Sequence, residues 1–435
     1  MNSTARNFFQ FAGVHSLLIG LLPFFIPVLL LKQGSSIEEV ALFIALTGLS
    51  FIFSLKLWER IYQKKDWRLI TAISFISEIA LVAALLFTEG NLLLITAAFL
   101  NGFYNCFYWT TQRVMFSTMT AETATSEHSS GSHQTGRQFG NFQIVVVILL
   151  KLGILISAFL LEAGYELPLW LLSTVISGSA MLWFLRSGNS SEFMTTDRSL
   201  AAEGTSANAV QTNHRQSIFH FKDTHNSAVV FYLDGVFLFL ESYFWIISLY
   251  YITQENVKQL GLIVVLLTVL LSVIFFLLKN RIDTMDRNKV YVVAVVFYAL
   301  SWLLRSVLDT SLPDYWIYPA ILVIAFLTTF FRLSFNKRFF DNAHAQRPLN
   351  YLLAKSYLSQ TGIVIFFSLI ALLAMYFEDA QSALSSIYLI LTPIALIYLV
   401  YGSKKEQSHE TATEGQVIST AASSTQNLQF SKTDN

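Results

Sequence analysis

Two carboxylates, Asp234 and Glu241, sit seven residues apart inside an uninterrupted apolar run at 227–251. In a helix, seven residues make about two turns, so both acids project from one face, about 10 Å apart along the axis. An ionised side chain in a lipid-like environment costs at least about 2.5–3.5 kcal/mol, so each needs a partner or a wet cavity. Such a pair can exchange protons or bind a cation; the plainer reading is that each acid holds a fixed ion pair. Lys151 is the complementary group, isolated in another apolar run on a face shared with Gly140, Gln143 and Val147. It can meet an acidic group of a solute or pair with Asp234, Glu241 or Glu78.

His15, beside Ser16, adds a group able to exchange a proton near neutral pH, or a hydrogen-bonded structural imidazole. Its segment carries Gly13, Gly20, Pro23 and Pro27 and is expected to bend. Asn101, Tyr104, Asn105, Tyr108, Trp109 and Gln112 form a polar and aromatic surface at mixed spacings of three and four. With Tyr243 and Trp245 they suit cavity lining by hydrogen bonding and stacking, or packing between helices. The expected substrate-binding or proton-coupling set is therefore Glu241, Asp234, Lys151, His15, Asn105, Tyr108, Gln143, Tyr243 and Trp245. Glu78 and Arg305 are expected to make structural pairs, Arg305 with Asp309 one turn away.

Other chemistries find little support. His128 and His133 lie in a Ser-rich segment without supporting groups for a metal. There is no phosphate-binding Gly-rich loop with its lysine, no arrangement of nucleophile and base, and Cys106 is the single cysteine. No metal, no cofactor and no enzymatic activity are expected. Zero net charge gives no reason to expect a nucleic-acid partner.

The elements that must hold these residues are membrane spans. The 435 residues are 54% hydrophobic and 13% charged, against about 25% charged in soluble domains. Apolar windows near 20 residues recur at 8–31, 38–57, 69–88, 92–116, 138–161 and 167–185. A second six follow at 227–251, 259–278, 290–309, 316–336, 355–376 and 383–401, each long enough to span a bilayer. The expected organisation is a six-helix bundle at 1–185, a cytoplasmic flexible linker at 186–226, a second bundle at 227–401, and a disordered cytoplasmic tail at 402–435. Of the 28 Lys and Arg residues, all but Lys32, Lys258, Lys151 and Arg305 fall in the N-terminus, the C-terminus or the regions after even-numbered spans, 24 in total. Basic loops stay cytoplasmic, so both termini and the linker are expected inside. At that mouth Arg60, Arg113, Arg137, Arg281, Arg332, Arg338 and Lys355 can form gate ion pairs with Glu59 or Asp341, or be ordinary positive-inside charge.

The halves repeat with a shift of about 221 residues, as in Lys64-Lys65-Asp66-Trp67-Arg68 and Asp286-Arg287-Asn288-Lys289. Two six-span halves, a long linker and basic loops after spans 2 and 8 resemble the major facilitator superfamily of secondary transporters. Glu59-Arg60 and Lys64-Lys65 stand where that superfamily carries charge between spans 2 and 3, without its glycines; span 5 lacks the Gly-Pro of antiporters. The resemblance implies an all-α integral membrane fold of twelve transmembrane helices in two parallel six-helix bundles. It places spans 1, 4, 7 and 10 around a central cavity, spans 2, 5, 8 and 11 beside it, and spans 3, 6, 9 and 12 toward lipid. It implies alternating-access transport of a small organic solute; the acidic pair at mid-depth, opposite a possible basic partner, adds the expectation of proton coupling through Glu241 and Asp234. An amphipathic or zwitterionic solute suits Lys151, the two acids and the aromatics. The expected setting is the plasma membrane, multi-pass, with the chain a monomer in the lipid bilayer. A non-transporting sensor or assembly protein that keeps the fold is the alternative; an intramembrane enzyme is the weakest reading.

Overall fold

The computed structural model describes residues 3–64, 66–126, 131–186, 223, 225–283, 286–308, 312–344, 348–377 and 379–402, with side chains omitted at 3–5, 119–126, 131–144, 276–283, 287, 314, 344 and 348. Arg137, Gln143 and Arg281 therefore lie outside the described side chains, as do His128 and His133; most of the expected linker and tail lies outside the described residues.

Every regular element among the described residues is helical. Among the described residues eleven helices are long and apolar enough to cross a membrane, and the bent pair Arg6–Leu21 and Pro23–Lys32, taken as one span, makes twelve. That pair, span 1, turns by 41° at Leu22, where Pro23 starts a short 3-10 turn. Pro23 and Pro27 lack the N–H groups a straight helix needs there, so the sequence forces the bend. Spans 2 to 6 are Ile37–Gln63, Trp67–Phe87, Gly90–Ser126, Gly131–Glu162 and Glu166–Arg186. Span 7 runs through Ser227–Phe239, a wider π-type turn at Leu240–Phe244, and Trp245–Ile252. Spans 8 to 11 are Val257–Asp283, Arg287–Val307, Asp314–His344 and Pro348–Ala374; span 12 is Ala380–Ala395 with a 3-10 extension to Val400.

Helix starts follow from capping. Ser36 and Glu39 form a capping box at span 2, and Asp379 accepts from Ser382 N–H at span 12. Asp66 and Asp286, the acids of the two basic loops, occupy equivalent places as N-caps of spans 3 and 9. The repeated charge pattern thus contains a repeated helix start.

Packing repeats as well. Span 1 lies on span 5 as span 7 lies on span 11, span 3 on span 4 as 9 on 10, and span 3 on span 6 as 9 on 12. The halves meet chiefly through span 2 against 11 and span 5 against 8, contacts that exchanging the halves interconverts. With no water to expel between helices in lipid, close backbone approach drives such contacts. A Cβ on Gly20 or Gly153 would press into the opposite backbone at the span 1–5 crossing, and one on Gly235 or Gly362 into Ser359 or Tyr232 at the span 7–11 crossing. Those four positions are glycine because the crossings leave no room.

Candidate functional site

The second half holds a network of four charged side chains from three spans. Arg332 of span 10 donates from Nη1 to Asp234 Oδ1 at 2.6 Å, from Nε to Glu241 Oε2 at 3.0 Å and from Nη2 to Glu241 Oε1 at 3.0 Å. The grip on Glu241 is the two-pronged geometry that a planar guanidinium provides and an ammonium cannot. Lys355 of span 11 reaches the other oxygen of Asp234 at 2.9 Å. Two carboxylates and two cations leave the network formally neutral, which is how a low-dielectric interior tolerates four charges.

Tyrosines complete it. Tyr298 of span 9 donates to Glu241 Oε1 at 2.5 Å and accepts from Arg332 Nη2 at 3.2 Å. Tyr398, at the end of span 12, donates to Asp234 Oδ1 at 3.1 Å. Phe331 stacks on Tyr298 with centroids 4.0 Å apart, and the Lys355 ammonium lies 4.2 Å from the Phe339 ring centre. Asp234 is sealed, while Arg332 and Glu241 keep 17% and 16% of their side-chain surface, so the network has one closed and one accessible end. Glu241 occupies the π-type turn, a local widening found often at functional positions.

Facing it from the first half is a hydrogen-bond ladder along span 4. Trp109 Nε1 donates to Asn105 Oδ1 at 3.1 Å, Asn105 Nδ2 to Asn101 Oδ1 at 3.1 Å, and Asn101 Nδ2 to the Tyr243 hydroxyl of span 7 at 2.9 Å. The last bond joins the halves, two residues from Glu241. The halves also meet toward the basic loops, where Arg113 donates to Ser356 at 3.4 Å, Glu59 lies within hydrogen-bonding reach of Tyr357, and Phe116 packs on Phe340.

Several expected placements differ. Arg332 and Lys355, expected at an inner gate with Glu59 or Asp341, are bonded to Asp234 and Glu241 and to Asp234 respectively; Arg332 lies within span 10, about three turns from its end. Lys151 makes no ion pair with a described residue, and each of its three expected partners is bonded elsewhere. Tyr108 is fully buried inside the first bundle, beside Tyr104 and His15, while Asn105 stands on the neighbouring stripe. His15 is fully buried too, bonded to Ser74 at 2.9 Å and stacked on Phe75 at 4.1 Å. Trp245 turns to Arg305, not to Glu241. Arg305 bonds Ser301 and Thr328, and Asp309 lies outside the described residues. Arg60 is exposed, and Arg338 bonds Asn288 within its own half at 3.3 Å.

Sequence reasoning missed Tyr298 and Tyr398. Both belong to spans expected to face lipid, as do Glu78, held by the Ser173 and Ser177 hydroxyls, and Arg305; all four point inward. The only available signal was polarity on those spans.

No protein-family model matches the sequence, and a comparison with curated proteins finds no match. Solved structures do match. The nucleoside transporter NupG superposes with a TM-score of 0.59 at 11% identity, covering 92% of this chain and 98% of that one. A point mutant of NupG gives 0.57 at 12% identity with the same coverage. This chain has the major facilitator fold. The fold explains why the two interfaces between the halves, 2 against 11 and 5 against 8, are images of one another. The charged network lies on spans 7, 10 and 11 of this arrangement, and the ladder on span 4.

Proposed function

We propose that the chain is a secondary active transporter that moves a small polar organic solute by alternating access, coupled to protons through Glu241. One observation carries this reading: Arg332 is shared by two carboxylates of one span, and the Glu241 end of that network is the accessible one. With Glu241 ionised, Arg332 is held on both sides. A proton on Glu241 removes the charge that grips Nε and Nη2, and Arg332 stays with Asp234, which Lys355 also holds. The freed N–H groups and the Tyr298 hydroxyl then face the solute. Protonation thereby changes what spans 7, 9 and 10 offer each other, the differential interaction that a conformational shift requires.

Charge balance within the network favours a solute without net charge, oriented by Asn105 and Trp109 from the first half. The structural likeness to a protein that transports nucleosides makes nucleosides the first solutes to test. The distribution of basic residues supports a reading with both termini in the cytoplasm, and the plasma membrane and a monomeric state are part of the same proposal.

The test is uptake of labelled nucleosides into proteoliposomes with and without an inward proton gradient. Gradient-driven accumulation is expected in the wild type, with exchange but no accumulation in Glu241→Gln. Accumulation by the wild type that ignores the gradient, or a Glu241→Gln variant that still concentrates solute, contradicts the coupling role.

A further inference from the structure

A second charged locus lies in the same half, near the face opposite the basic loops, and plays no part in the network above. Between spans 7, 9 and 12 a small cleft of about 20 Å³ is lined by Ser248, Tyr251, Arg305, Gln381, Ser385 and Tyr388, with three aliphatic neighbours. Among the described residues the lining offers hydroxyls, an amide and a guanidinium, and no carboxylate. Tyr251 and Gln381 are partly exposed, so the cleft communicates with the surface.

Arg305 is 2% exposed. Its Nη1 donates to Ser301 Oγ at 2.9 Å, its Nη2 to Thr328 Oγ1 at 2.8 Å, and its Cζ lies 4.4 Å and 4.9 Å from the Trp302 and Trp245 ring centres. Its Nε has no hydrogen-bond partner among the described residues. No described carboxylate comes within ion-pair distance of it; Glu241, on the neighbouring span, is already gripped by Arg332. Two hydroxyls and two ring faces orient a guanidinium without neutralising it, and a cation buried at membrane depth calls for a counter-charge.

We propose that Arg305, with the Ser385 hydroxyl, binds a single halide ion that enters from the face opposite the basic loops. A space of about 20 Å³ holds roughly one water-sized occupant, which fits a single halide ion. Ser248 donates its hydroxyl hydrogen to the Phe244 carbonyl at 3.2 Å and receives that of Tyr388 at 2.8 Å, so the Ser385 hydroxyl is the one in the lining that points at the ion. The ion supplies the negative charge that the lining lacks and holds spans 7, 9 and 12 together.

The experiment is thermal unfolding of the purified full chain in sodium chloride, sodium bromide or sodium gluconate at equal ionic strength. Chloride and bromide are expected to raise Tm along a saturating curve and gluconate to leave it flat. Arg305→Gln should lose the halide response. Should that variant fail to fold, Ser385→Asp places a carboxylate in the cleft; it should fold, supply the counter-charge itself and no longer respond to halide. Equal Tm in all three salts, or a halide response that survives in Ser385→Asp, overturns the proposal. So does a response absent from the wild type and acquired by Asp309→Asn, which would make Asp309 the counterion.

Discussion

Replacing Arg332 by glutamine tests the network most directly. The substitution strands Glu241 with Tyr298 as its hydrogen-bond partner and leaves Asp234 with Lys355 and Tyr398. Removing one member of a buried pair costs about 3–5 kcal/mol, because the other charge stays desolvated and unanswered. Arg332 and Glu241 keep 17% and 16% of their surface, so the lower end, about 3 kcal/mol, is expected here. Glu241→Gln alone leaves Arg332 with Asp234 and costs less. In the double variant the unanswered carboxylate is gone, so much of the first loss returns. The cycle should therefore show a coupling of about 2–3 kcal/mol, near the top of the range for contacting residues. Equilibrium unfolding in mixed micelles with rising denaturant measures all four proteins. The Arg332–Asp234 cycle should give a smaller value, since Lys355 still answers Asp234. If losses from Arg332→Gln and Glu241→Gln simply add, within about 0.5 kcal/mol, the two side chains do not interact as argued.

Tyr243→Phe removes the acceptor of a bond that joins the halves; at about 1 kcal/mol net, its loss should shift the ratio of closed to open forms about fivefold. Labelling of a cysteine placed at Asn105 reads that shift, and unchanged accessibility would count against the ladder as a latch. Gly362→Val forces a side chain against the Tyr232 carbonyl and should abolish the folded peak in size-exclusion chromatography, whereas Gly178→Ala, which meets open space, should be silent. At Asp286, outside the membrane, the backbone N–H groups of Lys289 and Asn288 hold the carboxyl below the usual carboxylate range. The unfolded chain then binds a proton more readily, so the cap's stabilisation is present at neutral pH and fades as pH falls through the depressed value. The Tm gap between wild type and Asp286→Asn should shrink on acidification; a gap that does not change with pH refutes that account.

Much of the architecture was legible because bilayer thickness writes itself into the sequence as apolar windows. The bend of span 1 followed from Pro23 and Pro27, and the common face of Asp234 and Glu241 followed from their separation of seven. Periodicity along one helix says which residues share a face, but not which face of another helix meets it. That is why Arg332, counted among the basic loops, proved to be the partner of both acids, and why Lys151, of matching charge and depth, did not.

The chain's own order of residues determined the number of crossings, the repeat and the presence of charges that need answering. Tertiary packing alone decided which charge answers which. Tyr298 and Tyr398 reach the network because spans 9 and 12 turn one face inward. Pairing energy falls steeply with distance, and only the packed helices fix distances between groups 57 to 164 residues apart in sequence.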